Sequence, residues 1–319
     1  IPAVDFKQWS EDLSFPQLPS LEATKLFVKL TKHSKLFAEN DAYHFRPLAE
    51  LHATIDKPVM VFPAEGTPSK TNKPNGANIP IYKGASFNLW DADTDEYYAW
   101  AENDVIETHL YDKRLNQSKN KKSAYYGIDQ KIINNKKTLN YKSPRILFRN
   151  TTNSTNQRTF ICSLIPPNVS AQHGAPTLIR VKGEESHEAY LLGVLSSTIF
   201  DWQARRWVEL NMTFGVAGRL TVPKYNYDQP LDLRLIEIAG RLAAVDKRYS
   251  DWAEKVGVPI GSVKSHTEKE DLLAELDAVV AHLYGLDTDD LEVIWDTFHT
   301  TVDHLPNLDA VLDHFERWT

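Results

Sequence analysis

One cysteine, Cys162, stands in a chain of 319 residues, so no disulfide can close within it. That scarcity fits a reducing, cytoplasmic setting. Cys162 lies in the alternating run TFICSLI, where a small buried hydrophobe is its natural role. No run of 18 apolar residues occurs, which excludes a transmembrane helix, and no membrane partner is expected. No basic, apolar and small-residue series marks a secretory leader. The Asn-x-Ser/Thr sequons at Asn116, Asn150, Asn153, Asn168 and Asn211 are therefore read as by-products of an Asn/Thr-rich sequence. The first residue is Ile1 rather than Met, and the chain is expected to be a piece of a longer or processed polypeptide.

Catalytic signatures are equally scarce. There is no P-loop, no GxGxxG, no HExxH, no CxxC and no GxSxG elbow. The 11 His are scattered, and His299, His304 and His314 are expected on the surface because their spacing shares no helix face. Asp5-Phe6-Lys7 matches half of a metal-dependent nuclease pattern, but nothing upstream supplies the first acid. No catalytic residue, no metal and no cofactor is expected in this chain, which makes a stand-alone nuclease a poor reading.

What the chain does have is ordinary globular composition, with 42% apolar and 25% charged residues, enough for more than one core. The net charge of −7 argues against nucleic acid until its distribution is read. From Lys113 to Arg149 there are 11 basic residues against the single acid Asp129; from Ser250 to Thr319 there are 4 basic and 16 acidic. A chain polarised in this way can set one segment against phosphates and hold the other away.

Local patterns predict an α+β fold. Ser20 caps a helix with Ala23, Leu26, Phe27 and Leu30 at i, i+3, i+4, i+7. Short strands are predicted over Pro58–Phe62 and Ile79–Phe87, with a loop between them, and an apolar stretch over Tyr97–Ala101. A helix is predicted from Asn103 to Lys119, then a long basic loop over Asn120–Ser143. Arg145–Asn150 and Arg158–Ile165 read as paired strands joined by an Asn/Thr loop, and Thr177–Val181 as a further strand. Glu184 to Glu209 reads as one helix, and Val216–Val222 as a strand. Beyond Pro230 the predicted elements are helices alone: Leu231–Val256, Glu268–Tyr284, Asp289–Phe298 and Asn307–Trp318. The expected organisation is a mixed α/β region over residues 1–229 and an all-helical tail over 230–319.

Two clusters carry the candidate chemistry. The loop from Asn150 to Arg158 is rich in Asn, Thr and Gln, whose paired donors and acceptors match base edges. The competing reading is a hairpin loop whose Asn and Thr satisfy its own backbone. The segment Lys113–Lys142 is basic with Tyr125, Tyr126 and Tyr141 interleaved, as a phosphate-gripping surface would be, although a solvated charge run is the plain alternative. A third cluster, Asp201-Trp202-Gln203-Ala204-Arg205-Arg206-Trp207, reads as core plus an ion pair rather than a binding site.

Four segments, YKGASFNLWDADTDEYYAWAE, PRILFRNTTNSTNQRTFICSLIPPN, YLLGVLSSTIFDWQARRWVELNMTF and LIEIAGRLAAVDKRYSDWAEKVGV, resemble the C-terminal region of large bacterial N6-adenine DNA methyltransferases. These are restriction–modification methylases and their phage-defence relatives. The tail ELDAVVAHLYGLDTDDLEVIWDTFH has the same look, and the resemblance runs diffusely from about Phe45 to Trp318. It implies a target recognition region of the TaqI-like specificity type, which binds double-stranded DNA. The S-adenosylmethionine-binding motif and the Asn-Pro-Pro-Tyr motif of the family are absent, and Ile165-Pro166-Pro167-Asn168 is not a version of the latter. The resemblance therefore places methyl transfer, with S-adenosylmethionine, in an N-terminal methylase part of the parent protein. Whether that parent also cleaves DNA stays open.

On this reading Arg149, Asn150, Thr151, Asn153, Thr155 and Arg158 are the expected contacts to bases or backbone, and Lys119, Lys121, Lys122, Lys136 and Lys137 the expected contacts to phosphates. The alternative is a protein-interaction module whose acidic tail docks a partner subunit of a defence complex.

Overall fold

The computed structural model describes residues 15–64, 66–227, 229–298 and 306–319. The Asp5-Phe6-Lys7 match, His299 and His304 lie outside the described residues. The fold is α+β. In chain order the main elements are α1 (Leu21–Leu30), β1 (Ser34–Lys35), β2 (His44–Leu48), β3 (Ile79–Tyr82), β4 (Ala99–Ala101), α2 (Asn103–Gln117), α3 (Gln130–Ile133), β5 (Arg145–Phe148), β6 (Cys162–Ile165), β7 (Ser170–Ala171) and β8 (Thr177–Lys182). They are followed by α4 (Glu185–Ser196), α5 (Thr198–Arg205), α6 (Phe214–Ala217), β9 (Thr221–Val222), α7 (Pro230–Ala243), α8 (Ser250–Val256), α9 (His266–Tyr284), α10 (Thr288–Thr297) and α11 (Leu308–Arg317).

Contacts divide the chain into two compact units. The first comprises residues 1–42, 152–160 and 184–319, the second 43–151 and 161–183. The contacts thus group the chain differently from a cut at residue 230. Helix α4, from the expected α/β half, packs on α7 of the expected tail, inside one unit. The reason is apolar: α4 buries every residue from His187 to Ser196, so it needs helices on several sides, and the tail supplies them.

The second unit contains two sheets. One has the order β2-β8-β5-β6, with β5 and β6 antiparallel in the register Arg145↔Ile165 to Phe148↔Cys162. This is the hairpin expected from sequence, and Cys162 is buried there as a free thiol. The other has the order β4-β3-β7. Its residues Ile79, Ile81, Ala99 and Ala101 join Leu51, Ile106 and Leu110 in one apolar cluster, which seats α2.

The first unit is mostly helical. Ser20 Oγ accepts from Ala23 N at 3.0 Å, and Ala23, Leu26, Phe27 and Leu30 are the buried stripe of α1, as their spacing predicts. Helix α9 packs against α7 and α11, and the short β1–β9 ribbon completes the unit. His314 is buried with its Nε2 2.9 Å from Asp271 Oδ1, so its expected surface position is corrected.

Candidate nucleic-acid interface

The basic segment of the second unit is not a loose loop. Arg114 is buried and donates to Thr138 O at 3.0 Å and Asn135 O at 2.7 Å. Arg46, on β2, donates to Tyr126 O at 2.6 Å and Ala124 O at 3.2 Å. Tyr125 and Ile133 bury against Leu48 and Ile179 of the sheet. Burial pushes the Tyr125 phenol well above its ordinary value, with Glu50 adding to it, while its oxygen accepts from Asn140 Nδ2 at 2.7 Å. The many Asn have local work: Asn120 Oδ1 accepts from Lys122 N at 3.0 Å, and Asn135 Oδ1 from Lys137 N at 3.0 Å. These are Asx turns, which hold a chain in tight bends without regular structure.

On this frame the basic residues separate into two groups. Lys113 pairs with Asp56 at 2.6 Å, Arg145 with Glu50 at 2.9 Å, and Lys142 with Glu107. These are internal struts. Lys119, Lys121, Lys122, Lys131 and Lys137 are exposed and have no ion pair among the described residues. Lys136 lies between the groups, 3.9 Å from Glu107 Oε1 and 5.4 Å from the centre of the Tyr111 ring. Lys131 was not singled out from sequence. The carboxylate of Asp129 accepts from Lys131 N at 2.8 Å. Counted by unit, the second unit holds 18 basic and 12 acidic residues, a net +6, and the first 18 and 31, a net −13.

The Asn/Thr loop is split between the units. Arg149, Asn150 and Thr151 belong to the second. The Arg149 guanidinium donates through Nη2 to Phe87 O and Asn88 Oδ1. Burial pulls it below its ordinary value, with Glu96 acting the other way. Asn150 N donates to Gly174 O at 3.1 Å, while the side chains of Asn150 and Thr151 make no hydrogen bond among the described residues.

Residues 152–160 belong to the first unit, and there the side chains satisfy the loop itself. Asn153 Oδ1 accepts from Thr155 N at 2.9 Å and from Thr155 Oγ1 at 2.8 Å. Asp201 Oδ1 accepts from Thr159 N at 2.7 Å and Phe160 N at 2.6 Å. Arg205 donates to Ser154 O at 3.1 Å and Gln157 O at 2.7 Å, and pairs with Asp201 at 3.3 Å. Arg158 is only 8% exposed and donates to Ser196 O at 2.5 Å and Thr198 Oγ1 at 3.1 Å. Its direction is inward, because a loop that long needs an anchor at its return. Arg158 and Asn153 therefore act in the first instance as fasteners. The structure does not bring Asn153, Thr155 and Arg158 together with the five lysines in one unit.

Among the described residues no group of three His, Cys, Asp or Glu is placed to hold a metal ion, and no helix is long and apolar enough to cross a membrane. No family model matches the sequence, and no curated protein matches it. Among solved structures the chain is similar to the Type IIL restriction-modification enzyme MmeI in complex with DNA, at 12% identity and a TM-score of 0.36. The match covers 83% of this chain and 38% of that one, so this chain spans well under half of that enzyme. Such a TM-score is too low to equate the two folds.

Proposed function

We propose that this chain binds double-stranded DNA and selects the target sequence for an N6-adenine methyltransferase of a restriction–modification or phage-defence system. The observation that supports this best is the set of exposed, unpaired lysines on a fixed frame in the net-positive unit. Surfaces that only need solubility intersperse charges of both signs. Here Asp56, Glu107 and Glu50 are spent on Lys113, Lys142 and Arg145, and Lys119, Lys121, Lys122, Lys131 and Lys137 face solvent. Lysines so placed neutralise phosphates without reading sequence, and reading then falls to side chains that reach base edges. Arg149, Asn150 and Thr151 are in the same unit and are the first choice for that role.

On this proposal the methylase part of the parent protein holds S-adenosylmethionine and transfers the methyl group. Flipping the adenine out of the stack costs a few kcal/mol, which contacts to the flanking duplex offset. The test is fluorescence anisotropy of a labelled random duplex against this chain across salt concentrations. Micromolar or tighter binding that weakens steeply with salt is the expected result. No binding at low salt sinks the proposal.

A further inference from the structure

The turn Asn88-Leu89-Trp90-Asp91 in the second unit is built more tightly than a connecting loop requires. Asn88 and Asp91 exchange both backbone hydrogen bonds, at 2.8 and 3.1 Å. Trp90 sits at φ 56°, a left-handed conformation that bulky residues rarely adopt, with its ring buried. Such strain persists only where the surroundings over-determine it, and it collects at functional positions. The neighbouring backbone is pressed close. A Cβ on Gly84 would lie 3.3 Å from Gly174 O and 3.6 Å from Arg149 Cγ, so Gly84 lets this loop close against the arginine stem.

This construction holds Arg149 and Asn88 together. Both hydrogens of Arg149 Nη2 are used, one on Phe87 O and one on Asn88 Oδ1. Arg149 Nη1 is not buried and has no partner among the described residues. Since Asn88 Oδ1 faces a cation, its amide nitrogen is the free end, and Asn88 is exposed. The pair therefore offers solvent donors only. Nearby, Asp91 is exposed and has no cationic partner among the described residues. A carboxylate there repels a phosphate but is compatible with an uncharged base edge.

Resting on the DNA reading above, we propose that Arg149 and Asn88 form a specificity-determining pair that reads guanine in the major groove. Guanine presents two acceptors there, O6 and N7. Adenine sets an amino group beside its N7, and cytosine presents an amino donor, so each opposes a donor to this pair. The pinned Nη2 leaves Arg149 one open nitrogen, so the second donor to the base comes from Asn88.

The experiment is selection from a randomised duplex pool with the parent chain and with Asn88→Ala, Asn88→Asp and Arg149→Lys. The parent enriches a site with guanine at one position. Asn88→Ala loses that preference by about tenfold at that position while the rest of the site is kept. Asn88→Asp retains the bond to Arg149 but replaces the donor with an acceptor, so it also loses guanine, and its intact melting temperature separates this from misfolding. Arg149→Lys loses guanine as well. Uniform weakening on all duplexes, with a shallower salt dependence, would make Arg149 a phosphate contact and overturn the inference. An unchanged guanine preference in the Asn88 variants overturns it too. If the parent binds no duplex at all, the DNA reading fails with it.

Discussion

A carboxylate sealed from water reports on the residues that seal it. Asp277 is 1% exposed, accepts from Thr198 N at 2.7 Å and from Thr198 Oγ1 at 2.6 Å, and shares Thr198 with Arg158. Burial pushes its pKa up to about 6, against the pull of Arg158 and the two Thr198 bonds, with Asp201 adding a small push. The folded state thus holds this proton more tightly than the unfolded chain does. The stabilisation is full below the ordinary value of 3.8 and is lost as pH rises through about 6. The loss amounts to about 3 kcal/mol. Urea unfolding of the parent and of Asp277→Asn between pH 4 and 8 reads it directly. Asn cannot ionise, so the stability difference between the two proteins should shift by about that amount in favour of the variant across the window. A difference that does not move with pH would refute the assignment.

Helix α4 meets α7 at Gly193, where an added Cβ would lie 2.6 Å from Leu235 Cδ1 and 3.3 Å from Ala239 Cβ. Gly193→Ala gains helix propensity but forces two buried helices apart, so a net loss of about 1–3 kcal/mol is expected, measured as a lower denaturation midpoint. The sequence shows the helix but not this crossing, because periodicity says which residues are buried and not what they touch. The same limit explains the other differences. The stretch Glu184–Glu209 reads as one helix, yet it breaks at Ser197. There the serine Oγ donates to Val194 O at 2.7 Å and accepts from Phe200 N at 3.1 Å, closing α4 and capping α5. Val216–Val222 reads as a strand, but Thr213 Oγ1 caps Val216 N at 3.2 Å and turns the first part into α6, leaving two residues in β9. Pro58 lies within a 3-10 turn, Lys57–Val59, instead of starting a strand. Strand β2 goes unseen because Pro47 masks it, and its place at a sheet edge is what tolerates the proline. By contrast α1, the β5–β6 hairpin and helices α9, α10 and α11 have strong local signals and appear where expected, while the single helix expected over Leu231–Val256 breaks after Ala243 into α7 and α8. In the candidate site, residue types point to the basic segment and the Asn/Thr loop. Only geometry separates paired lysines from free ones, or turns Arg158 inward and leaves Nη1 of Arg149 unburied.

At the scale of the whole molecule, the proposed DNA binding has to be weighed against a net charge of −7. The first unit carries −13 and the second +6. Beyond a Debye length of about 8 Å at physiological salt, exposed charges are largely screened, so acids far from the duplex cost little. Direct lysine–phosphate contacts release counterions, and each contributes about 0.9 to the slope of log affinity against log salt. Five unpaired lysines therefore set a slope of at most about −4.5 from this segment. Reversing Lys121 and Lys122 to Glu removes two contacts and should reduce the slope by about 1.8. Because phosphates are the same in every duplex, affinity should fall alike for all sequences, and the order of preferred sites should not change. The matched control is Asp289→Lys with Glu292→Lys, two exposed acids of α10 in the first unit. It changes the net charge by four, as the lysine variant does but in the opposite direction, and its slope should equal that of the parent. If both double variants shift the slope equally and oppositely, net charge rather than contact governs binding, and the basic segment loses its special role. If only the lysine variant shifts it, the segment from Lys119 to Lys137 is where the duplex lies.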